Sequence, residues 1–317
     1  SLQLSIDQSL REEKLAFLEL CKTKEMRNLL RIFFLQERSK KLVVNKQVHN
    51  EAASYGTIKS VCVLGAGTMG AGIAQWISSR GLQVLLKDIK HDLVSSGLKK
   101  IGDLYVDGVQ KYKFDRPTAK EGMSRVTGTC QNYKLTNTDL VVEAIVEKLD
   151  VKQKVLAQIE NKLSNNAIIA TNTSALSIDE MAKCLKYPDR FIGIHFFNPV
   201  HQMKLVEVVR GTNTSDATVE RTVKFIQSIG KLPVVVNDSP GFVVNRILVP
   251  YLIKAADLFS NVLIIFSGRS SFKTISSALS STGMYPLFVD DISNFFFPLI
   301  RCIWSRFLII LCVSKKR

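Results

Sequence analysis

The sequence predicts an α/β fold: a doubly wound parallel sheet preceded by a linker helix and followed by a truncated or atypical C-terminal helical region. Three observations predict it. Short apolar runs alternate with amphipathic stretches from Val61 onward, the pattern of successive βαβ units. A glycine-rich turn directly follows the first of those runs. Helical spacing fills the segment before residue 41, and the regular alternation stops after Ser260.

In chain order, Leu15, Leu18, Met26, Leu29, Leu30, Phe33 and Phe34 recur among many Lys, Arg and Glu within residues 10–41. That spacing gives an amphipathic helix or helix pair. Residues 43–59 are polar and unpatterned, a connector. Residues 61–64 are a short buried strand. Residues 83–86 are a second, entered through Gly81, which suits the left-handed turn after a helix. Residues 140–142 and 167–171 are further strands, with apolar groups at helical spacing over 149–163 between them. Ser177 and Glu180 form a capping-box pair that opens another helix. Residues 191–196, 205–209 and 233–236 are expected as strands, and Gly241 leads into a helix through Asn245 to about Phe259. The expected organisation is a linker helix and connector (1–58), a nucleotide-binding domain (59–238) and the start of a helical domain with an atypical tail (239–317).

The 317 residues leave room for two domains. Apolar residues make up 46% and charged residues 22%, a globular and not a disordered composition. The formal charge of +15 raises nucleic-acid binding, since clustered Lys and Arg release phosphate counterions. No finger, RRM or other nucleic-acid module accompanies it, so a basic surface, or one favouring a phosphorylated small molecule, is preferred. Cys21, Cys62, Cys130, Cys184, Cys302 and Cys312 form no CxxC pair. They suggest free thiols in a reducing compartment, and neither a disulfide framework nor a metal site. The first residues carry no apolar signal core, and a start at Ser1 fits a fragment or a processed product. Residues 295–313 are strongly apolar, but Arg301, Arg306 and Pro298 interrupt them. Central arginines are costly in lipid, so no membrane span is expected.

The turn after the first strand reads Gly65-Ala66-Gly67-Thr68-Met69-Gly70. A bare GxGxxG is weak, because glycines often merely make turns. Here an apolar strand precedes it, a helix follows, and Asp88 closes the next strand. Gly65 permits the tight turn, Gly67 lets the backbone approach a pyrophosphate, and Gly70 lets the helix pack closely. The helix start offers unpaired N–H groups to the anion. The Asp88 carboxylate can accept from ribose hydroxyls and would repel a 2′-phosphate, which favours NAD over NADP and makes this Rossmann-like.

Some 130 residues later, His195 and Glu207 offer a base and a carboxylate. Histidine titrates near neutrality and can take a hydroxyl proton while hydride leaves the same carbon. Glu207 lies in the apolar run LVEVV, where an unpaired carboxylate would be costly. A bond to the imidazole resolves that cost and fixes the tautomer. His201 follows Pro199-Val200 in a loop and competes poorly for the role.

The segments VLGAGTMGAGIAQ (63–75), DLVVEAIVEKLDVKQ (139–153), ATNTSALSI (170–178), FIGIHFFNPVHQMKLVEVV (191–209) and DSPGFVVNRILVPYL (238–252) resemble the L-3-hydroxyacyl-CoA dehydrogenase family, in order and spacing. The resemblance implies His195 as general base with Glu207 as its partner. It places Ser174 and Asn245 around the reacting hydroxyl, and Glu147, Lys152 and Asn198 along the nicotinamide side of the cofactor pocket. Gly65, Gly67, Thr68, Met69, Gly70 and Asp88 would hold NAD. The implied activity is oxidation of (3S)-3-hydroxyacyl-CoA to 3-oxoacyl-CoA in fatty-acid β-oxidation, with an acyl-CoA substrate and dimerisation or association with other β-oxidation enzymes. Residues 11–41 resemble the linker helix of multifunctional fatty-acid oxidation enzymes, which carry an enoyl-CoA hydratase domain upstream. The implied compartment is intracellular and reducing: cytoplasm, peroxisome or mitochondrion. The resemblance fades after about Phe259. That motivates an alternative, an NAD-binding remnant of the family with little or no turnover.

Overall fold

The computed structural model describes residues 5–44, 56–131 and 135–267, with side chains as far as Asp257. Two helices come first, α1 (Ile6–Cys21) and α2 (Lys24–Lys40). Ser5 caps α1 in a full capping box with Gln8. The Thr23 hydroxyl donates to the Leu20 carbonyl and accepts from the Met26 N–H, ending one helix and starting the next. This is the helix-pair form of the amphipathic expectation. Neither helix buries a residue. The end of α2 is nonetheless tied down: the Ser39 hydroxyl donates to the Pro233 carbonyl at 3.0 Å, and Gln227 Nε2 donates to the Ser39 and Leu42 carbonyls.

The remaining elements follow in βαβ order. They are β1 (Ser60–Leu64), α3 (Thr68–Ser78), β2 (Gln83–Lys87), α4 (His91–Gln110), α5 (Arg116–Ser124), β3 (Val126–Thr129), β4 (Leu140–Glu143), α6 (Leu149–Glu160), β5 (Ile168–Thr171), α7 (Ile178–Ala182), β6 (Phe191–Phe196), β7 (Leu205–Arg210), α8 (Asp216–Ser228), β8 (Leu232–Asn237) and α9 (Val244–Ser267). The strands form one sheet in the order β3-β2-β1-β4-β5-β6-β7-β8. β1 to β6 run parallel; β7 reverses against β6, and β8 runs parallel to β7. The first six therefore have the 3-2-1-4-5-6 order of a doubly wound nucleotide-binding sheet, and the reversed pair extends its edge.

Period-two alternation builds the core. Val61 and Val63 of β1, with Leu140 and Val142 of β4, join Ile73, Ala74 and Ile77 of α3 and Val219, Val223 and Ile226 of α8. The alternate residues Cys62, Leu64 and Val141 meet Ile159 of α6 in a separate cluster. Covered on both faces, the central strands are near-continuous apolar runs. Each buried Val, Leu or Ile contributes roughly 1.5–3 kcal/mol.

The expected strands are all present, within a residue or two at their ends. The sequence left residues 91–129 unassigned, and α4, α5 and β3 fill them. β3 is an edge strand, VTGT, without a buried residue, so it lacks the apolar run that marked the others. The capping box expected at α7 is half present. Ser177 Oγ accepts from the Glu180 N–H, but the Glu180 carboxylate pairs with Lys183 instead. α9 runs on to Ser267, beyond the expected end, with Pro250 inside it. Most of the atypical tail, from residue 268, lies outside the described residues. So do residues 45–55 of the connector and the apolar stretch 295–313.

The chain divides into two compact units. The first comprises the described residues up to Thr173 together with Ser177–Asp238, and the second comprises Ser174–Leu176 and the described residues from Ser239. No helix among the described residues is long and apolar enough to cross a membrane.

Candidate active site

The carboxyl end of β1 is where the strand order reverses, between β1 and β4, the usual ligand crevice of such sheets. Gly65 leaves the strand with φ +98°, and a Cβ there would lie 2.6 Å from the Ala144 carbonyl oxygen just past β4. Only glycine meets both demands. A Cβ on Gly70 would sit 1.8 Å from the Gly65 carbonyl oxygen, so the third glycine lets α3 start directly beneath the turn. Around Gly67 the situation is reversed, with no atom within 4 Å of an added Cβ. That open face is where a phosphate group fits.

Gly67 also caps α3 without any side-chain bond to the first-turn amides. Gly67 and Thr68 are exposed, Met69 is half-buried, and Gly70 is buried. The first-turn N–H groups, with the positive end of the helix dipole, form an anion site. Asp88 follows β2 at the same edge. Its Oδ2 accepts from the Ala66 N–H and its Oδ1 from the Ile89 N–H, both at 2.7 Å. The carboxylate is thus fixed beside the turn, suited to ribose hydroxyls and hostile to a 2′-phosphate. These residues fit NAD.

Past β4, a buried charge cluster occupies the crevice. Lys152, in the first turn of α6, donates to Glu143 Oε1 at 2.7 Å, and their side chains are 1% and 0% exposed. Glu147 Oε2 lies 3.2 Å from the same ammonium, and Thr173 donates to Glu147 Oε1 at 2.5 Å. Glu143 is fully engaged. Its Oε1 also accepts from the Ile145 N–H and its Oε2 from the Thr171 hydroxyl, each at 2.7 Å. The sequence reading singled out Glu147 and Lys152 but missed Glu143. Its signal was present: a carboxylate ending the apolar run LVV, the same feature that singled out Glu207.

His195 and Glu207 face each other across the β6–β7 ladder. Directly opposed residues of an antiparallel pair project from the same face, with Cβ atoms about 5 Å apart. His195 Nδ1 lies 2.8 Å from Glu207 Oε2, and the residues are 6% and 1% exposed. The Phe197 ring packs against the imidazole, 4.4 Å between centroids. His195 comes just before the carboxyl end of β6, on the sheet edge that carries the glycine turn, Asp88 and Glu143. Its exit loop reaches the cofactor helix: a Cβ on Gly72 of α3 would meet Val200 at 3.2 Å. Asn198 is exposed in that loop. His201 contacts Gln202, and burial first, then the charge of Lys113, lowers it from the ordinary histidine value.

Ser174 and Asn245 belong to the second unit, where Asn245 Nδ2 donates to the Ser174 carbonyl at 3.0 Å. The structure therefore gathers the glycine turn, Asp88, Glu147, Lys152, Asn198, His195 and Glu207 along one sheet edge, and it joins Ser174 to Asn245 separately.

Known proteins agree with this architecture. Residues 60–239 match the family 3-hydroxyacyl-CoA dehydrogenase, NAD binding domain. The fatty acid oxidation complex subunit alpha of Pseudomonas putida is 41% identical over 288 residues, 90% of this chain and 39% of that protein. The subunit of the same name from Idiomarina loihiensis is 43% identical over 244 residues, 77% of this chain and 33% of that protein. The chain thus spans well under half the length of these curated relatives. A crystal structure of (S)-3-hydroxybutyryl-CoA dehydrogenase from Ralstonia eutropha superposes with a TM-score of 0.63 at 40% identity, covering 65% of this chain and 73% of that one. The 3-hydroxybutyryl-CoA dehydrogenase of Escherichia coli gives 0.62 at 38% identity, covering 65% and 43%. With NAD as the cofactor of its doubly wound sheet, this chain belongs to the 3-hydroxyacyl-CoA dehydrogenase family.

Proposed function

We propose that this chain oxidises (3S)-3-hydroxyacyl-CoA to 3-oxoacyl-CoA in fatty-acid β-oxidation, with His195 as general base. The observation that carries this is the buried His195–Glu207 pair, 2.8 Å apart, on the edge of the sheet that holds the glycine turn. When bound at the glycine turn, NAD would supply the hydride acceptor for the substrate carbon. His195 takes the proton from the hydroxyl on that carbon. The Nδ1–H donates to Glu207, so Nε2 is the nitrogen that accepts. As the ring becomes imidazolium, the Glu207 charge stabilises it and keeps it from turning. Ser174 and Asn245 orient the hydroxyl, while Glu147, Lys152 and Asn198 shape the nicotinamide side. Gly65, Gly67, Thr68, Met69 and Gly70 seat the pyrophosphate, and Asp88 holds the adenosine ribose.

In this proposal residues 59–238 are the cofactor domain and residues from 239 begin a helical domain. The +15 charge then serves coenzyme A phosphates, not nucleic acid. The relatives are subunits of a complex by name, which supports association with other β-oxidation enzymes. The four described cysteines are free, in keeping with a reducing compartment.

The test follows NADH consumption by the purified chain with acetoacetyl-CoA and, separately, with free acetoacetate. Turnover of the thioester at least about tenfold above the free acid is expected. Equal turnover, or turnover of the free acid alone, contradicts the acyl-CoA assignment.

A further inference from the structure

Lys231 is a buried cation that the proposed chemistry does not use. It is 2% exposed and sits immediately before β8, delivered by Gly230 at φ +74°. Its ammonium donates to the carbonyls of Val200 and Met203, the latter at 2.6 Å, and lies 3.7 Å from the centre of the Trp76 ring. Trp76 belongs to α3, and its indole N–H donates to the Ile229 carbonyl at 3.0 Å. Arg80 stacks on the same ring at 4.1 Å. Burial first, then the charge of Arg80, lowers the Lys231 ammonium to about 8. A cation kept here at that disadvantage is held by its three partners.

The partners define a task. Residues 197–204 join β6 to β7 directly after His195. Within them the N–H groups of Gln202 and Met203 both turn back to the Pro199 carbonyl, and the Val200 and Met203 carbonyls are taken by Lys231. Lys204 accepts from the Leu232 N–H at 2.8 Å. The loop thus owes much of its hydrogen bonding to the start of β8, and buried backbone groups need such partners. Val200 meets Gly72 of α3, and Trp76 one turn later meets the ammonium, so Lys231 ties the loop to the helix that carries the phosphate site. A dinucleotide held with its adenosine half at Asp88, on the β2 side, would direct its nicotinamide half towards β4–β6 and this loop.

We propose that Lys231 is a positioning residue for the nicotinamide end of the cofactor site, locking the 197–204 loop onto α3 through Val200, Met203 and Trp76. The proposal rests on NAD binding at the glycine turn and deepens it. Lys231→Met keeps the stem volume and removes the cation. Binding of NADH and of ADP-ribose, which lacks nicotinamide, is measured for the full chain. NADH should weaken about tenfold, the effect of losing charged hydrogen bonds, while ADP-ribose stays within about twofold of wild type. Amide exchange should quicken in residues 197–204 and not in β6 or β7.

Should Lys231→Met fail to fold, Trp76→Phe, which loses the indole bond and weakens the cation contact, should show the same selective loss at about threefold. Unchanged NADH affinity, or equal weakening of both ligands, overturns the proposal. Wild-type protein that binds neither ligand overturns the cofactor assignment itself, and the proposal with it.

Discussion

Glu143 and Glu207 are each a single carboxylate ending or interrupting an apolar strand, and both are buried with a cationic or protonatable partner. The pairing of Glu207 with His195 was legible because the imidazole stood in the preceding strand. The partner of Glu143 lies nine residues on, in a helix, where Lys152 passes equally well for solvated surface. Breaking a buried pair by removing one partner leaves the other charge uncompensated, at about 3–5 kcal/mol. Glu147 also faces this ammonium, so Glu143→Gln should lower urea stability by part of that amount, and an unchanged unfolding midpoint would contradict the assigned network. Cys62 makes a different prediction. Burial raises its thiol to about 12. The unfolded chain gives up this proton near 9 while the native chain holds it, so raising the pH through that window favours unfolding. At pH 8 iodoacetamide should label exposed Cys21 and spare Cys62 until denaturant is added. Rapid native labelling of Cys62 would count against its burial.

At the scale of elements, the site depends on strand register. His195 opposes Glu207, and a slip of one residue would send Glu207 to the other face of the sheet. The strands were legible because their apolar runs are dense, and the glycine turn because its spacing follows a strand. β3 was not legible, since an edge strand half in water has no apolar run to show. α4 was left unassigned although Val94, Ile101 and Tyr105 are buried along it at helical spacing, and no side chain caps its start. A direct check at this scale is Gly70→Ala. The new methyl would meet the Gly65 carbonyl oxygen at 1.8 Å, a backbone atom that cannot rotate aside. NADH binding should weaken at least about tenfold, and retention of wild-type affinity would show that the turn is not clamped as drawn.

For the molecule as a whole, the reversal of strand order between β1 and β4 explains why residues from five separate strand ends converge. Each parallel strand delivers its following loop to the same edge, so Gly65, Asp88, Glu143, Thr171 and His195 line one edge without being close in sequence. That convergence was readable only through the βαβ alternation. The placement of Ser174–Leu176 in the second unit was not: they sit within the sheet's own stretch of sequence, a long-range packing choice with no local signature. The reversed β7–β8 pair was equally hidden, because periodicity marks a strand and not its direction.

Proton transfer by His195 at the cofactor edge is the claim on which the enzymatic account stands, and single-turnover oxidation of bound NADH by acetoacetyl-CoA in His195→Gln protein tests it most directly. The account predicts NADH affinity within about twofold of wild type and a chemical step slowed about 10²–10⁴-fold, the range lost with a general acid–base group. A chemical step at the wild-type rate would contradict it.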